Sequence, residues 1–161
     1  MLKLYNVNES YINYLRTFEP KILSNKNESR PYVGVVCTVN LVDYFVPLAS
    51  PKEKYAKMNN SKDFHKIAGG RYGAINFNKM IPVLNTELIE IDIEAHPDIK
   101  YRNLLRNQFV ELLSIKDVII RKSKGIYDLF VSTDTLSAFD EKVKERCCNF
   151  TLLEEKMKEY K

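Results

Sequence analysis

The 161 residues include 25 basic and 21 acidic side chains, a formal net charge of +4, and 45% hydrophobic residues, enough for one buried core. No apolar run approaches the ~18 residues of a membrane span, and no charged-then-apolar leader opens the sequence. We therefore expect a single domain over residues 1–161, located in the cytoplasm. The three cysteines form no C-x-x-C pair, which argues against a disulfide framework or a zinc site.

The N-terminal part is predicted to hold an edge strand over residues 1–5 and then a helix. Asn8 can cap this helix, and its apolar stripe at i, i+4 and i+7 spacing is formed by Tyr11, Leu15 and Phe18. Tyr11 is most simply a core aromatic on that stripe, although its hydroxyl could also face a binding site. Residues 21–30 are polar and without periodicity, which is typical of a loop.

Two β-rich segments predict an antiparallel hairpin. Residues 32–39 are β-branched and aromatic, with Gly34 at a bulge or a close approach, and residues 44–48 form the second strand. Arg30 enters the first strand and Ser50 leaves the second. A hairpin therefore brings Arg30 and Ser50 to the same end of the sheet.

The rest of the chain predicts further strands at 74–77, 80–84 and 88–93, followed by helices. In the last of these strands Ile89, Ile91 and Ile93 are expected to face inward, with carboxylates alternating outward to protect an edge. Asp98 can cap a long helix, a second helix is predicted from 115 to 124 and ends at Gly125, and residues 127–131 fit either a strand or a helix. Thr151-x-x-Glu154 predicts a capping box at the start of the last helix. The fold class is α+β, with a small, strongly twisted antiparallel sheet and helices in its insertions and at both ends.

A hydroxyl followed by lysines is the clearest chemical feature. Ser50-Pro51 predicts a turn or a helix start, with Lys52 and Lys54 immediately behind the hydroxyl. Such an arrangement can hold a phosphate, whereas the simpler interpretation is a capped surface turn. The segment from Ser50 to Met80 carries a charge of +5 and the remainder −1, which indicates an anionic partner or a lysine-rich solvated loop.

Other catalytic constellations are weak. His65 lies among basic residues and could contact RNA, although an exposed loop histidine is the simpler interpretation. His96 precedes Pro97 beside an acidic strand, and a surface role is expected. No phosphate loop, Ser-His-Asp order or metal-ligand cluster is evident, so we predict no metal and no cofactor.

Five segments, in order, resemble the ToxN/AbiQ family of endoribonuclease toxins from type III toxin–antitoxin systems. They match its opening helix, strand entry, Ser-Pro-Lys segment, core strand and C-terminal helix at Asn8–Leu15, Arg30–Val35, Leu48–Lys52, Asn76–Val83 and Cys148–Lys156. The family has Thr where this chain has Ala49, so any role of that hydroxyl must be absent or supplied elsewhere.

The resemblance implies a compact MazF/Kid-like, barrel-like core and a metal-independent endoribonuclease. The RNA 2′-hydroxyl would attack the phosphate and leave a 2′,3′-cyclic phosphate and a 5′-hydroxyl. Lys52 would stabilise the scissile phosphate, Ser50 would orient it, and Arg30 would bind its oxygens, with Lys66 as a further candidate. Which group accepts the 2′-proton is left open, a desolvated lysine or a tyrosine being conceivable.

The partner implied by the resemblance is a folded, repeat-derived RNA antitoxin, a pseudoknot, in a closed protein–RNA assembly. Predicted RNA contacts beyond the catalytic residues are Tyr11, Lys54, His65, Lys79, Arg102, Arg106, Arg121 and Lys122. The alternatives are a non-catalytic RNA-binding module that uses the same basic groove, or a toxin that inhibits a protein. Basic residues beside Ser50 favour RNA over a protein target.

Overall fold

The computed structural model describes all residues, 1–161, as an α+β fold with seven strands and five α-helices. The strands are β1 (Lys3–Val7), β2 (Tyr32–Val39), β3 (Val42–Ala49), β4 (Phe64–Lys66), β5 (Ala74–Asn76), β6 (Ile81–Pro82) and β7 (Leu88–Glu90). The helices are α1 (Glu9–Arg16), α2 (Ile99–Ser114), α3 (Lys116–Val131), α4 (Ala138–Arg146) and α5 (Phe150–Glu159). No helix combines the length and the apolarity that crossing a membrane requires.

The sheet is antiparallel and open, in the order β4-β5-β3-β2-β1-β7, with β6 also paired to β3. Since β4 and β7 form the two ends of this path and do not pair with each other, the sheet does not close into a barrel. β1 is an interior strand, with β2 on one side and β7 on the other, so the prediction of an N-terminal edge strand is wrong.

The β2–β3 hairpin forms as the sequence predicts. The register shifts between Val33 and Cys37, which is the bulge expected at Gly34. A Cβ at Gly34 would overlap the ring of Phe45, so only glycine allows the two strands to pack there. The hairpin therefore depends on a close approach as well as on β-branched side chains.

One hydrophobic core of 32 buried residues extends from Leu2 to Met157. α1 packs on α5, with the rings of Tyr11 and Tyr160 5.0 Å apart. α3 packs on β2 and places Tyr127 against Tyr44 of β3 at 5.5 Å. Helices thus anchor the hairpin whose end carries Arg30 and Ser50.

Several boundaries differ from the prediction for local reasons. α3 continues through Gly125 to Val131, because its buried face holds the helix together past a residue with poor helix propensity. α5 starts at Phe150 and is capped by Asn149, whose side chain accepts the Leu152 N–H at 3.2 Å, so the capping box at Thr151 does not form. α4 and β4 were not predicted.

The strand after β6 is shorter and less buried than predicted. β7 ends at Glu90, and Ile89 is 42% exposed, so it does not face inward. Ile91 and Ile93 do pack partly against the core. β7 lies at the sheet edge, as the alternating carboxylates predict, and Asp98 caps α2 by accepting the Tyr101 N–H at 3.1 Å.

Candidate functional site

A cleft of about 340 Å³ opens where β2 begins and β3 ends. We name it the Ser50 cleft; its lining comprises Lys26, Ser29, Arg30, Pro31, Leu48, Ala49, Ser50, His96, Asp98, Tyr101, Leu104 and Gln108. Gly73, at φ +100°, lets the chain before β5 pass against the Ala49 carbonyl, where any Cβ would overlap it. The hairpin brings Arg30 and Ser50 together, as their positions in the sequence predict.

Arg30 is a buried cation held by backbone carbonyls. Its Nε donates to the Ser24 carbonyl at 2.7 Å and its Nη1 to the Leu48 carbonyl at 3.0 Å, and only 9% of the residue is exposed. Burial lowers the pKa of Arg30. No carboxylate pairs with this guanidinium, so its charge is available to an anion in the cleft.

Lys26 is a candidate site residue that sequence reasoning missed. Its Nζ lies 3.4 Å from the Ser50 Oγ. Burial, followed by the nearby charges of Arg30 and Lys52, lowers the pKa of Lys26. Lys26 and Arg30 line the cleft together with Ser50, whereas Lys52 follows Ser50 by two residues without lining it, and none of the three cations forms an ion pair.

The loop that carries Lys26 is held in shape by its own side chains. Asn25 is buried and donates to the Val7 carbonyl at 2.7 Å, and Ser29 Oγ donates to the Lys26 carbonyl at 2.6 Å. Lys26, Asn27 and Glu28 all have positive φ values, between 50° and 70°. No periodic pattern signals such a loop, which is why Lys26 could not be identified from the sequence.

The helix predicted behind Ser50 is only a short 3₁₀ turn, Glu53–Lys57. Its cap position is Lys52, with no side-chain cap bond, so Ser50 does not cap a helix. Lys52 and Lys54 are exposed, and each ammonium lies 5.9 Å from the centre of the Tyr55 ring. The phosphate-binding character of this region therefore comes from side-chain charge.

Lys66 lies near the cleft without lining it. It pairs with Ala74 across β4 and β5, and Ala74 pairs in turn with Ala49 of β3. Lys66 on β4 is therefore separated by β5 from Ala49 on β3, the residue directly before Ser50. An RNA strand that leaves the cleft over β5 would meet it.

His96 differs from its predicted surface role because it lines the Ser50 cleft. Its Nδ1 accepts the Asp98 N–H at 3.1 Å, and its ring packs 4.8 Å from that of Tyr101. Since Nδ1 acts as acceptor, the proton of the neutral ring lies on Nε2. Tyr101, whose hydroxyl donates to the Ser29 carbonyl at 3.4 Å, joins α2 to the Lys26 loop.

The prediction that Tyr11 contacts RNA is wrong for this fold. Tyr11 has no exposed surface, and its hydroxyl donates to the Pro82 carbonyl at 2.8 Å. Burial raises the pKa of Tyr11, so it remains protonated. It is a core aromatic, the simpler of the two interpretations.

Three other predicted RNA contacts are engaged within the protein. Lys79 donates to the Arg146 carbonyl at 2.6 Å. Arg106 forms two bonds to the Glu94 carboxylate, at 2.7 and 3.0 Å, and Arg102 donates to the Glu94 carbonyl at 3.4 Å. An RNA would have to compete with these partners.

Arg121 and Lys122 form a second basic group together with His65. Lys122 Nζ lies 2.9 Å from His65 Nδ1 and donates to the Ser61 carbonyl at 2.8 Å. Burial, then the charges of Lys122 and Arg121, lowers the pKa of His65, so the ring is neutral near pH 7. The fold thus brings His65, from the basic segment of residues 50–80, against Lys122 of α3.

An α+β fold with a hydroxyl and two unpaired cations in one cleft, and a third unpaired cation two residues after the hydroxyl, defines a basic protein that is suited to binding an anion. Residues 3–158 match the model of the family described as toxin ToxN, type III toxin–antitoxin system. The chain belongs to this family.

Curated relatives extend the match over most of the chain. It is 37% identical to endoribonuclease ToxN of Bacillus thuringiensis subsp. kurstaki, over 99% of this chain and 84% of the relative. It is 30% identical to endoribonuclease AbiQ of Lactococcus lactis subsp. lactis, over 78% of this chain and 74% of the relative.

Solved structures agree in fold. One, from work on selective toxin inhibition by a non-coding RNA pseudoknot, has a TM-score of 0.87 and 36% identity, over 99% of this chain and 97% of the other. AbiQ, described as a lactococcal anti-phage endoribonuclease of the type III system, has a TM-score of 0.79 and 29% identity, over 99% and 98%.

Proposed function

We propose that this protein is the endoribonuclease toxin of a type III toxin–antitoxin system, acting as a single domain in the cytoplasm. Family membership and the activity of its named relatives support the reaction class. The observation that carries the proposal is the Ser50 cleft, where Lys26 and Arg30 line the wall with the Ser50 hydroxyl and have no ion-pair partners, and where the exposed Lys52 follows Ser50 by two residues. The open, twisted sheet is also proposed to be related to the MazF/Kid-like core.

The cleft can assist phosphodiester transesterification. The 2′-hydroxyl of the RNA loses its proton as its oxygen attacks phosphorus and a new O–P bond forms. The bond to the 5′-oxygen breaks, and this oxygen takes up a proton, so the products are a 2′,3′-cyclic phosphate and a 5′-hydroxyl. Lys52 and Lys26 stabilise the negative charge that develops on the phosphate oxygens, and Arg30 binds them from the cleft wall. Ser50 positions the phosphate or the 2′-hydroxyl through a hydrogen bond.

We propose that no metal ion takes part. Lys26 and Arg30 line the cleft with Ser50, against one carboxylate, Asp98, and their positive charges disfavour a further cation at the phosphate. The purified protein should therefore cleave a long RNA in excess chelator and produce 2′,3′-cyclic phosphate and 5′-hydroxyl ends. Metal dependence or 5′-phosphate ends would contradict the mechanism.

A 2′-deoxy substitution separates this reaction from hydrolysis by water. Once the cut site is mapped, a short RNA with one 2′-deoxynucleotide at that site should resist cleavage, while the same change two nucleotides away should not protect it. A folded protein that binds the RNA and leaves it intact would instead be the non-catalytic RNA-binding module.

The proposed inhibitor is a folded RNA, cut from repeats and held in a closed assembly with the toxin. The inhibition of a structural relative by an RNA pseudoknot supports this. Basic groups at two separate clefts, around Ser50 and around Arg121, suit an RNA that covers a large part of the surface, with phosphate contacts providing affinity and unpaired bases providing specificity.

A further inference from the structure

Gly125 lies in the middle of a 16-residue helix without a packing reason to be glycine. It is part of α3, its φ is not positive, and a Cβ built there would meet no atom within 4 Å. Glycine in a helix interior is unfavourable relative to alanine. A glycine that costs helix stability and touches nothing leaves room for something that approaches the helix backbone.

The space over Gly125 is a cleft of about 640 Å³, separate from the Ser50 cleft. We name it the Arg121 cleft; its lining comprises Asn60, Ser61, Lys62, Arg121, Lys122, Gly125, Ile126, Asp128, Leu129, Ser132, Leu136 and Asp140. The apolar lining residues are Ile126, Leu129 and Leu136. Beside them, the bare helix surface at Gly125 offers a flat area to a planar ring.

An exposed aromatic side chain lies next to the cleft. Phe139 is 54% exposed, and it directly precedes the lining residue Asp140. Lys62 forms an ion pair with Asp140 at 2.7 Å, and its Nζ lies 6.0 Å from the Phe139 ring centre. An exposed aromatic ring beside a cation is the kind of arrangement on which single-stranded nucleic acids stack their bases.

Two basic residues of the cleft lining suit a phosphate. Arg121 is exposed and has no hydrogen bond or ion pair within the protein. Lys122 adjoins it and is fixed by the Ser61 carbonyl and His65. A guanidinium that is free of internal partners can bind phosphate oxygens at two positions.

We propose that the Arg121 cleft binds one unpaired nucleotide of an RNA, with its base against Gly125, Leu129 and Phe139 and its phosphate on Arg121. The inference rests on the proposed function and deepens it, because it assigns a site for base-dependent recognition outside the Ser50 cleft. The ligand class of this cleft is the nucleoside monophosphate unit. Its lining residue Lys122 contacts His65 of β4, the strand at one end of the sheet.

The test uses adenosine 5′-monophosphate (AMP) as the probe, and two-dimensional amide NMR of the full-length protein detects its binding. Ribose 5-phosphate is the matched compound without a base. We expect AMP to shift the amide signals of Gly125 and Leu129 saturably, with a Kd about 10- to 100-fold below that of ribose 5-phosphate, as expected for one stacked base.

Two variants and one control locate the effect. Gly125→Leu fills the cleft and favours the helix, and Phe139→Ala removes an exposed ring, so both should fold. In each, the Kd of AMP should rise toward that of ribose 5-phosphate. Asn107→Leu places the same bulk on an exposed part of α2 outside both clefts and should leave the AMP affinity unchanged.

The result that overturns the inference is equal affinity for AMP and ribose 5-phosphate, or AMP shifts confined to the Ser50 cleft. An unchanged AMP affinity in Gly125→Leu would also overturn it. These outcomes do not depend on cleavage. A protein that cuts RNA but fails the AMP test contradicts this inference alone, and one that passes it without cutting RNA contradicts the proposed function alone.

Discussion

Replacing Lys26 with methionine tests whether the residue revealed by the fold takes part in cleavage. The variant removes the ammonium that lies 3.4 Å from the Ser50 Oγ while keeping most of the side-chain length. Lys26 is exposed and forms no ion pair, so the core and the sheet should be unaffected. Lys158→Met on α5 is the matched control, because it removes the same charge at an exposed position outside both clefts.

The expected magnitude follows from the charge that develops in the transition state. A unit charge about 4 Å from an ammonium is stabilised by ~4 kcal/mol at an effective dielectric constant near 20. Lys26 is exposed, and screening by solvent reduces this to about half, ~2 kcal/mol. Since each ~1.36 kcal/mol is a factor of ten in rate, kcat/KM should fall about 30-fold.

The assay is the initial rate of cleavage of a short RNA that spans the mapped cut site, with thermal unfolding to verify the fold. A pH series adds a second measurement. The lowered pKa of Lys26 means that its charge is lost as pH rises through a value below that of an ordinary lysine, so wild-type activity should decline there. Lys26→Arg keeps its charge and should move this decline to higher pH. A folded Lys26→Met protein within threefold of the wild-type rate would refute the role.

Ser50→Ala and Lys52→Ala should each abolish growth inhibition with an unchanged unfolding temperature, because both residues are exposed; a folded Lys52→Ala protein that cleaves RNA at the wild-type rate would remove Lys52 from the mechanism. Gly34→Ala should lower the free energy of unfolding by ~1–3 kcal/mol in urea titration, because its Cβ overlaps a packed ring, and an unchanged midpoint would contradict the close approach. Arg121→Glu, alone or with Lys122→Glu, should weaken antitoxin binding and reduce its salt dependence in filter-binding titrations, yet spare cleavage of short RNA; unchanged affinity and salt slope would make this group a solvated helix face.

The sequence by itself determined the parts of the fold that depend on local pattern. The hairpin of β2 and β3 follows from two runs of β-branched and aromatic residues. Asp98 caps α2 because its side-chain oxygen stands directly before the helix and accepts a backbone N–H of the first turn. It also determined that Arg30 and Ser50 meet, because a hairpin returns the chain to its starting end. The family was recognisable because its motifs keep their order along the chain.

Tertiary packing decided where local signals compete. Gly125 and Thr151 carry ordinary helix-end and helix-start signals, but α3 is held past Gly125 by its buried face, and Asn149 caps α5 two residues earlier than the box predicts. β1 became an interior strand because β7, more than 80 residues away in sequence, pairs with it. Pairing at such separation leaves no mark on either segment alone.

The composition of the site was decided mostly by the fold. Lys26 reaches Ser50 because a loop without sequence pattern is held by Asn25 in the core, and His96 lines the same cleft with its ring packed against Tyr101 of α2. The predicted RNA contact of Tyr11 failed because the apolar pattern of a helix indicates which side chains are buried but does not indicate where a tyrosine hydroxyl points. Periodicity and charge indicate which residues can bind an anion. Whether their side chains meet in one cleft depends on distances that only the folded chain defines.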